Sequence, residues 1–332
     1  MIGIPYVGSF QQGHFFRSAD PITLAWRKIE QFGTSDSLSR IATRLGGDPS
    51  NAHVGSLRIR QALELRNSAR QASALTRPLL LYYCALNLLR GILGVTKGGM
   101  GDPFHGATYV SDPSLLDCKA KIKTSGTLLE VQKKLFGQDL AGKEISLLQC
   151  LAQMPELLSD FPLLLRGSND IAVVKINAIM QGAMSLRFMI SDCTAQQFKD
   201  HWTEYFHWFK DLCRLDDTNE FTLIVNQNFA DENEISVFCQ KHLLTDLFIR
   251  HDPLWFDHVQ RERLIMTGRI MPYVAMLFIL SNVARYEPEK LDDVMRQPTD
   301  LAYVLNTAIN NVDLHFPQVV LSRVSGKNVY FI

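Results

Sequence analysis

Apolar side chains occupy nearly every position of two segments, residues 77–93 and residues 271–285. The first segment reads RPLLLYYCALNLLRGIL, and the second reads MPYVAMLFILSNVAR. A helix that is apolar on all sides must be covered by protein around its whole circumference. The pattern therefore predicts two central helices that lie against each other. Asn and Arg interrupt both runs short of about 20 apolar residues, so we expect neither helix to span a membrane.

Weaker patterns predict the remaining elements. Helical patterns occupy the segments 21–32, 36–45, 56–74, 127–136, 144–158, 194–213, 232–248 and 254–266. Strand patterns occupy 107–110, 119–124 and 221–229, and the C-terminal sequence QVVLSRVSGKNVYFI has two apolar runs around a turn, which is typical of a β-hairpin. The predicted fold class is mainly α, within α+β, with small β insertions and a C-terminal β-hairpin. We expect a helical and irregular N-terminal segment, residues 1–55, followed by one helical domain, residues 56–332.

The whole chain has no net charge, but its charged residues are unevenly distributed along the sequence. Lys+Arg and Asp+Glu both number 34, so composition alone indicates neither nucleic acid nor an anionic membrane as a partner. Residues 58–77 hold five Arg and one Glu, whereas residues 211–234 hold seven acidic residues and one Arg. Two explanations stay open. The segments are solvated faces that pair within or between chains, or the basic helix binds an anion.

Cysteine usage predicts a reduced, cytoplasmic protein. The six cysteines are widely spread without a CxxC pair, and the N-terminal sequence MIGIPYVGSFQQGHFF lacks the basic start and apolar core of a signal peptide. His251, Asp252, Asp257 and His258 are the nearest approach to a metal-ligand group, but they lack a third His or a Cys cluster. We therefore expect neither a metal nor a cofactor.

Polar residues inside the two apolar helices are the first candidates for chemistry. Tyr83, Asn87 and Arg90 are spaced i, i+4 and i+7, so they share one stripe of their helix. Arg285 and Tyr286 end the second helix. A buried Arg must reach solvent or a carboxylate. These residues therefore either tether neighbouring elements or line a pocket opening to which both helices contribute. Both alternatives remain open.

The same segments resemble a known family. RPLLLYYCALNLLRGIL, followed after a glycine-rich loop by His105–Gly106, and the later LSNVARYEP are similar in order and spacing to the YaaC-like family of bacterial proteins. The similarity extends over roughly residues 70–330. The helical core of that family resembles HEPN-type domains (higher eukaryotes and prokaryotes nucleotide-binding), many of which are dimeric RNases in defence and toxin systems. The resemblance implies a HEPN-like core, a homodimer, and RNA or a nucleotide as the ligand.

For function, the resemblance implies a bacterial defence or stress-response component that acts on RNA or a nucleotide, or senses it. A histidine can deprotonate a ribose 2′-hydroxyl while arginines stabilise the charge on the phosphate. The candidate residues are, as catalytic groups, His105, Arg90 and Arg285, and, as binding groups, Tyr83, Asn87, Arg66, Arg70 and Tyr286.

Catalysis itself stays open at the level of the sequence. Catalytic HEPN members carry Arg, four to six residues, then His, and no arginine here has a histidine at that distance. If the protein is an enzyme, we expect a metal-independent RNase type. The alternative is a non-catalytic interaction or scaffold subunit of a multiprotein defence complex, whose partner is a protein of the same operon.

Overall fold

The chain forms two compact units in a computed structural model. The structure describes residues 2–3, 14–16, 18–96, 99, 104–154, 157, 160, 171–181, 183–190, 211–216, 222–231, 234–235, 238, 244–245, 254–257, 270–325 and 329–331. The sheet unit comprises Met1–Gly13 and Leu158–Gly268, and the helical unit comprises His14–Leu157 and Arg269–Ile332. Residue 55 lies inside a helix, and the division into residues 1–55 and 56–332 stays a prediction.

The helical unit is built from the following described α-helices: α1 (Pro21–Glu30), α2 (Ser35–Arg44), α3 (Ala52–Gln71), α4 (Arg77–Gly94), α5 (Thr127–Phe136), α6 (Leu147–Ala152), α7 (Ile270–Tyr286), α8 (Pro288–Arg296) and α9 (Asp300–Ser325). Local signals set their ends. Asp20 accepts a hydrogen bond from the Thr23 amide at the start of α1, and Ser146 and Gln149 form a capping box at α6. None of the described helices combines the length and apolar content needed to cross a membrane.

The prediction that the two apolar helices lie together is confirmed. Helices α4 and α7 contact each other, and every described residue of α7 from Ile270 to Val283 is buried. Helix α4 also packs along α3, where Gly55 and Gly91 allow the two backbones to approach closely. A Cβ atom on Gly91 would lie 3.0 Å from the Gly55 carbonyl oxygen and 2.9 Å from Cγ1 of Ile59. Surrounding helices therefore cover α4 on several sides.

Small β elements complete the helical unit. The predicted strands are confirmed as β3 (Ala107–Val110) and β4 (Lys119–Ile122), which pair antiparallel and continue to β5 (Glu144–Ser146). The Tyr109 hydroxyl donates to Glu287 at 2.9 Å, which attaches this sheet to the start of α8. The predicted helix 144–158 is therefore shorter than expected, because β5 takes its first residues and α6 ends at Ala152.

The predicted C-terminal β-hairpin is wrong. Its first strand lies in the last turns of α9, and its second, β12 (Val329–Phe331), pairs in parallel with β2 (His14–Phe16). Buried residues recur at every fourth position of α9, namely Ala308, Val312, Phe316, Val320 and Val324. This spacing is that of a helix. The β-branched side chains at its end favour a strand, and the segment was therefore predicted as a strand.

The sheet unit holds one antiparallel sheet in the order β10–β11–β6–β7–β9–β8, with β1 also on β6. Its strands are β1 (Ile2–Gly3), β6 (Ile171–Gln181), β7 (Ala183–Ile190), β8 (Cys213–Leu215), β9 (Thr222–Phe229), β10 (Leu244–Thr245) and β11 (Leu254–Asp257). The strand predicted at 221–229 is confirmed as β9. The predicted helix 232–248 is wrong at β10, and the predicted helix 254–266 is wrong at β11. Of the predicted helix 194–213, residues 194–210 lie outside the described residues. The α+β class is supported.

Candidate functional site

His105 is positioned by backbone contacts at the start of α5. Gly106 and Gly126 both adopt positive φ angles, 86° and 108°, and a Cβ on Gly126 would lie 2.5 Å from Cα of Gly106. Only glycine fits this approach. The amides of Thr127 and Leu128 donate to the carbonyl oxygens of Phe104 and His105, at 3.0 and 3.1 Å. The His-Gly motif therefore fixes a loop that returns to α4.

The imidazole of His105 is held by two tyrosines of α4. Its Nδ1 lies 2.7 Å from the Tyr82 hydroxyl, its ring stacks on Tyr82, and Tyr83 meets it edge-on with ring centroids 5.8 Å apart. Tyr82 is fully buried and packs against Phe278 of α7. Burial raises the pKa of Tyr82, so this phenol stays neutral. The two central helices thus fix the orientation of the imidazole.

Positive charge surrounds His105. Partial burial lowers the pKa of the His105 imidazole, and the charges of Arg285 and then Arg90 lower that pKa further. Because an ordinary histidine titrates near 6.5, His105 is neutral at pH 7. The sequence-predicted catalytic residues are therefore close enough to influence one another electrostatically, although they come from α4, α7 and a loop.

Arg90 links α4 to the loop that carries His105. Its Nη1 donates to Oγ1 of Thr127 at 3.1 Å, and that hydroxyl donates to the Phe104 carbonyl at 3.0 Å. Burial, followed by the charge of Arg58, lowers the pKa of the Arg90 guanidinium, and Glu130 acts in the opposite direction. Arg90 is thus a tether of the kind that the sequence allowed, and its charge lies near the imidazole.

Arg285 and Arg58 have no carboxylate partner in the part of the chain that the structure describes. Arg285 is exposed and donates to the Ser281 carbonyl at 3.1 Å and to Oδ1 of Asn282 at 3.0 Å. Arg58 donates to Oδ1 of Asn87 at 3.0 Å. All of these acceptors are neutral. Both guanidinium groups can therefore donate further hydrogen bonds to an anion.

The predicted binding residues divide into two groups. Tyr83 contacts His105, Asn87 orients Arg58, and the Tyr286 ring lies 5.1 Å below the Arg285 guanidinium. Arg66 instead forms an internal ion pair with Asp313, at 2.6 Å, and lies over the ring of Trp26. Arg70 is exposed near the end of α3. The structure brings neither Arg66 nor Arg70 to His105.

Three contributors were missed by the sequence reasoning: Tyr82, Arg58 and Thr127. Tyr82 and Tyr83 are adjacent, and the helical pattern does not say which of them meets a loop 23 residues later. Thr127 follows Gly126, and Gly126 contacts Gly106, the glycine of the His-Gly motif. The TSGT sequence could therefore have indicated that Thr127 lies near His105. Among the described residues, no group of three His, Cys, Asp or Glu side chains could hold a metal ion.

Comparison with known proteins agrees with the motifs at this site. The sequence model of the YaaC-like Protein family matches residues 33–324, which is most of the chain. The chain belongs to the YaaC-like family. The match includes both apolar helices and the loop of His105. No curated protein sequence and no solved structure matches the chain significantly.

Proposed function

We propose that this YaaC-like protein binds RNA or a nucleotide through a cluster formed by His105 and the guanidinium groups of Arg90, Arg285 and Arg58. The observation that carries the proposal is the charge of Arg285 and Arg90 near His105, with Arg58 acting on Arg90. Arg285 and Arg58 donate only to neutral oxygen atoms among the described residues. Guanidinium groups match phosphate oxygens in geometry as well as in charge. A phosphate group is therefore the anion that this cluster suits best.

Exposed aromatic rings beside the cluster favour a ligand that carries bases. Phe104 precedes His105 and is 64% exposed, and Tyr286 follows Arg285 and is 68% exposed. Nucleobases stack on exposed aromatic side chains and on guanidinium planes. A phosphate on the arginines with a base against Phe104 or Tyr286 accounts for both features, whereas inorganic phosphate would use only the first.

A catalytic form of the proposal uses His105 as a general base. If the Tyr82 hydroxyl accepts a hydrogen bond from Nδ1, the lone pair of Nε2 can take the proton of a ribose 2′-hydroxyl. The 2′-oxygen would attack the adjacent phosphorus, the bond from phosphorus to the 5′-oxygen would break, and the protonated His105 would return the proton to the departing oxygen. Arg90 and Arg285 would stabilise the negative charge that develops on the attacked phosphate. The same arrangement without cleavage would sense its ligand. The role in bacterial defence or stress response, which the HEPN resemblance implies, belongs to this proposal.

A HEPN-like core is the structural part of the proposal. Helix α4 contacts α3, α7 and α9, so one central helix is surrounded by three others. Arg90 of α4 and Arg285 of α7 both lower the pKa of His105, so the candidate site borders two of these helices. This placement supports a ligand site formed by the core helices.

Binding of a labelled single-stranded RNA, followed by fluorescence anisotropy at low salt, tests the function. We expect saturable binding by the wild type and a loss of about tenfold in Arg285→Gln, because a hydrogen bond to a charged group contributes about 1.5–3 kcal/mol. Arg296→Gln is the matched control, since Arg296 is an exposed arginine of α8 that pairs with Asp292. An abasic strand should bind more weakly than the RNA of equal length.

The outcomes separate the alternatives. Equal affinities of Arg285→Gln and Arg296→Gln would place RNA binding elsewhere on the molecule. Absence of binding to both RNA and mononucleotides would favour the scaffold alternative. Cleavage of the RNA by the wild type and not by a folded His105→Ala variant would support the catalytic form, whereas binding without cleavage would support sensing.

A further inference from the structure

A second cavity opens in the helical unit, formed by α1, α2 and the C-terminal end of α9. Its volume is about 490 Å³, which lies within the range of about 300–1,000 Å³ that is usual for ligand pockets. The lining residues are Lys28, Gln31, Phe32, Ser37, Arg40, Ile41, Arg44, Leu321, Val324, Ser325 and Val329. None of them belongs to the cluster around His105.

The floor of this cavity is apolar and well packed. Ile41, Leu321, Val324 and Val329 are all buried, with at most 7% of each residue exposed. Such a surface does not replace the water molecules around a bare inorganic ion. It does suit an aliphatic chain or an aromatic ring, whose removal from water is favourable. The floor therefore selects a ligand with an apolar body.

The cavity lining includes Lys28, Arg40 and Arg44, and no carboxylate is among its described residues. Arg44 donates to the backbone carbonyl of Val324, and Arg40 donates to Oγ of Ser37 at 3.2 Å. Lys28 and Arg44 lie in the last turns of α1 and α2, where the helix dipole also favours positive charge. Arg40 lies one turn earlier and has no such role. Its guanidinium is available to an anionic head group.

We propose that this cavity binds a small amphiphilic anion, with a carboxylate or phosphate head group at Arg40 and Arg44 and an apolar body on the floor. The cations and the apolar floor together exclude ligands that have only a charge or only an apolar body. A neutral lipid would offer no anionic group to the Arg40 guanidinium, and a free phosphate would make no contact with the apolar floor. This site is independent of RNA or nucleotide binding at His105, because the two sites share no residue.

Isothermal titration calorimetry of the full chain tests the proposal, with decanoate and octyl phosphate as probes below their micelle concentrations. We expect saturable binding of one molecule per chain. Decanol, which lacks the charge, and inorganic phosphate, which lacks the apolar body, should each bind at least tenfold more weakly. If decanoate and octyl phosphate differ in affinity, the tighter probe identifies the head group.

Two variants assign the binding to this cavity. Arg40→Gln should weaken decanoate binding about tenfold, whereas Arg296→Gln should leave it within twofold of the wild type. Phe32→Ala should weaken decanoate and leave the charge unchanged. Absence of saturable binding, equal binding of decanol, or equal affinities of Arg40→Gln and Arg296→Gln would each overturn the proposal. Melting temperatures close to that of the wild type confirm that the variants are folded.

Discussion

The charge of His105 depends on what occupies the space in front of it. In the free protein, burial and the guanidinium groups of Arg285 and Arg90 hold its pKa below the usual value. A bound phosphate would neutralise the effect of these arginines and add a negative charge of its own. Protonation and ligand binding at this residue are therefore linked, and each should favour the other.

We expect a pKa of His105 below 6.5 in the free protein, measured by NMR titration of the imidazole. Saturation with adenosine monophosphate should raise that pKa, and the ligand should bind more tightly as the pH falls from 7 towards the pKa of the bound state. Arg285→Gln should raise the pKa of the free protein and weaken the response, while Arg296→Gln should change neither. A pKa at or above 6.5 without ligand would contradict the electrostatic account.

The same pKa affects stability with a definite sign. The unfolded chain binds a proton at His105 more readily than the native protein does. The contribution of this residue to the free energy of unfolding is therefore complete above about pH 6.5 and decreases as the pH falls.

His105, Arg90 and Arg285 were chosen as site residues from two short segments, and their roles stay predictions. The structure places the charges of Arg285 and Arg90 near enough to lower the pKa of His105. Arg66 was predicted as a binding residue, but its partner Asp313 lies 247 positions away and is not indicated by the local run of arginines. Pairings over such separations depend on the folded topology.

At the scale of elements, the crossing of α3 and α4 depends on two glycines. Gly55 and Gly91 face each other, and neither position has room for a methyl group: a Cβ on Gly55 would lie 2.5 Å from Cδ2 of Leu38, and one on Gly91 would lie 2.9 Å from Cγ1 of Ile59. The close approach lets the larger residues on both sides of the crossing interdigitate.

Gly91→Ala should destabilise the protein by about 1–3 kcal/mol, because the added methyl group overpacks the crossing. Helix propensity alone predicts the opposite, a gain of about 1 kcal/mol. The sign of the change in the free energy of unfolding in urea therefore decides between packing and propensity. A variant more stable than the wild type would show that α3 and α4 separate easily.

Element prediction was successful for the strongly periodic or turn-bounded segments and failed for several others. Helices α4, α5 and α7 and strands β3, β4 and β9 were predicted with bounds close to those observed. The strands β6 and β7 were missed, although Val174, Lys175, Ile176 and Asn177 alternate between apolar and polar side chains. Leu254–Asp257 was predicted as helix, because strand pairing with β6 overrode the local pattern.

At the scale of the whole molecule, the basic segment 58–77 is less available than its composition indicates. Arg66 is paired with Asp313 and Arg77 with Asn310, and Arg58 belongs to the cluster that we propose for RNA binding. Arg60 and Arg70 are exposed. These two residues are therefore the ones that can meet the acidic segment 211–234 of another copy.

We expect a homodimer in light scattering at low salt, because segments of opposite charge attract across an interface and lose that attraction as salt is added. The double variant Arg60→Glu/Arg70→Glu should shift the equilibrium towards the monomer. A particle of 37.6 kDa at micromolar concentration would contradict the dimer. If neither salt nor the double variant changes the fraction of dimer, another surface holds the two copies together.

The helical unit is interrupted in the chain, since α4 ends at Gly94 and α7 begins only at Ile270. The intervening chain includes Leu158–Gly268, the larger segment of the sheet unit. At a synthesis rate of roughly 5–20 residues per second, about 110 residues occupy the ribosome for roughly 5–20 s. During that interval the apolar surface of a nascent α4 can pack on α3 but lacks α7, so chaperones have their opportunity to bind before the last fifth of the polypeptide is made.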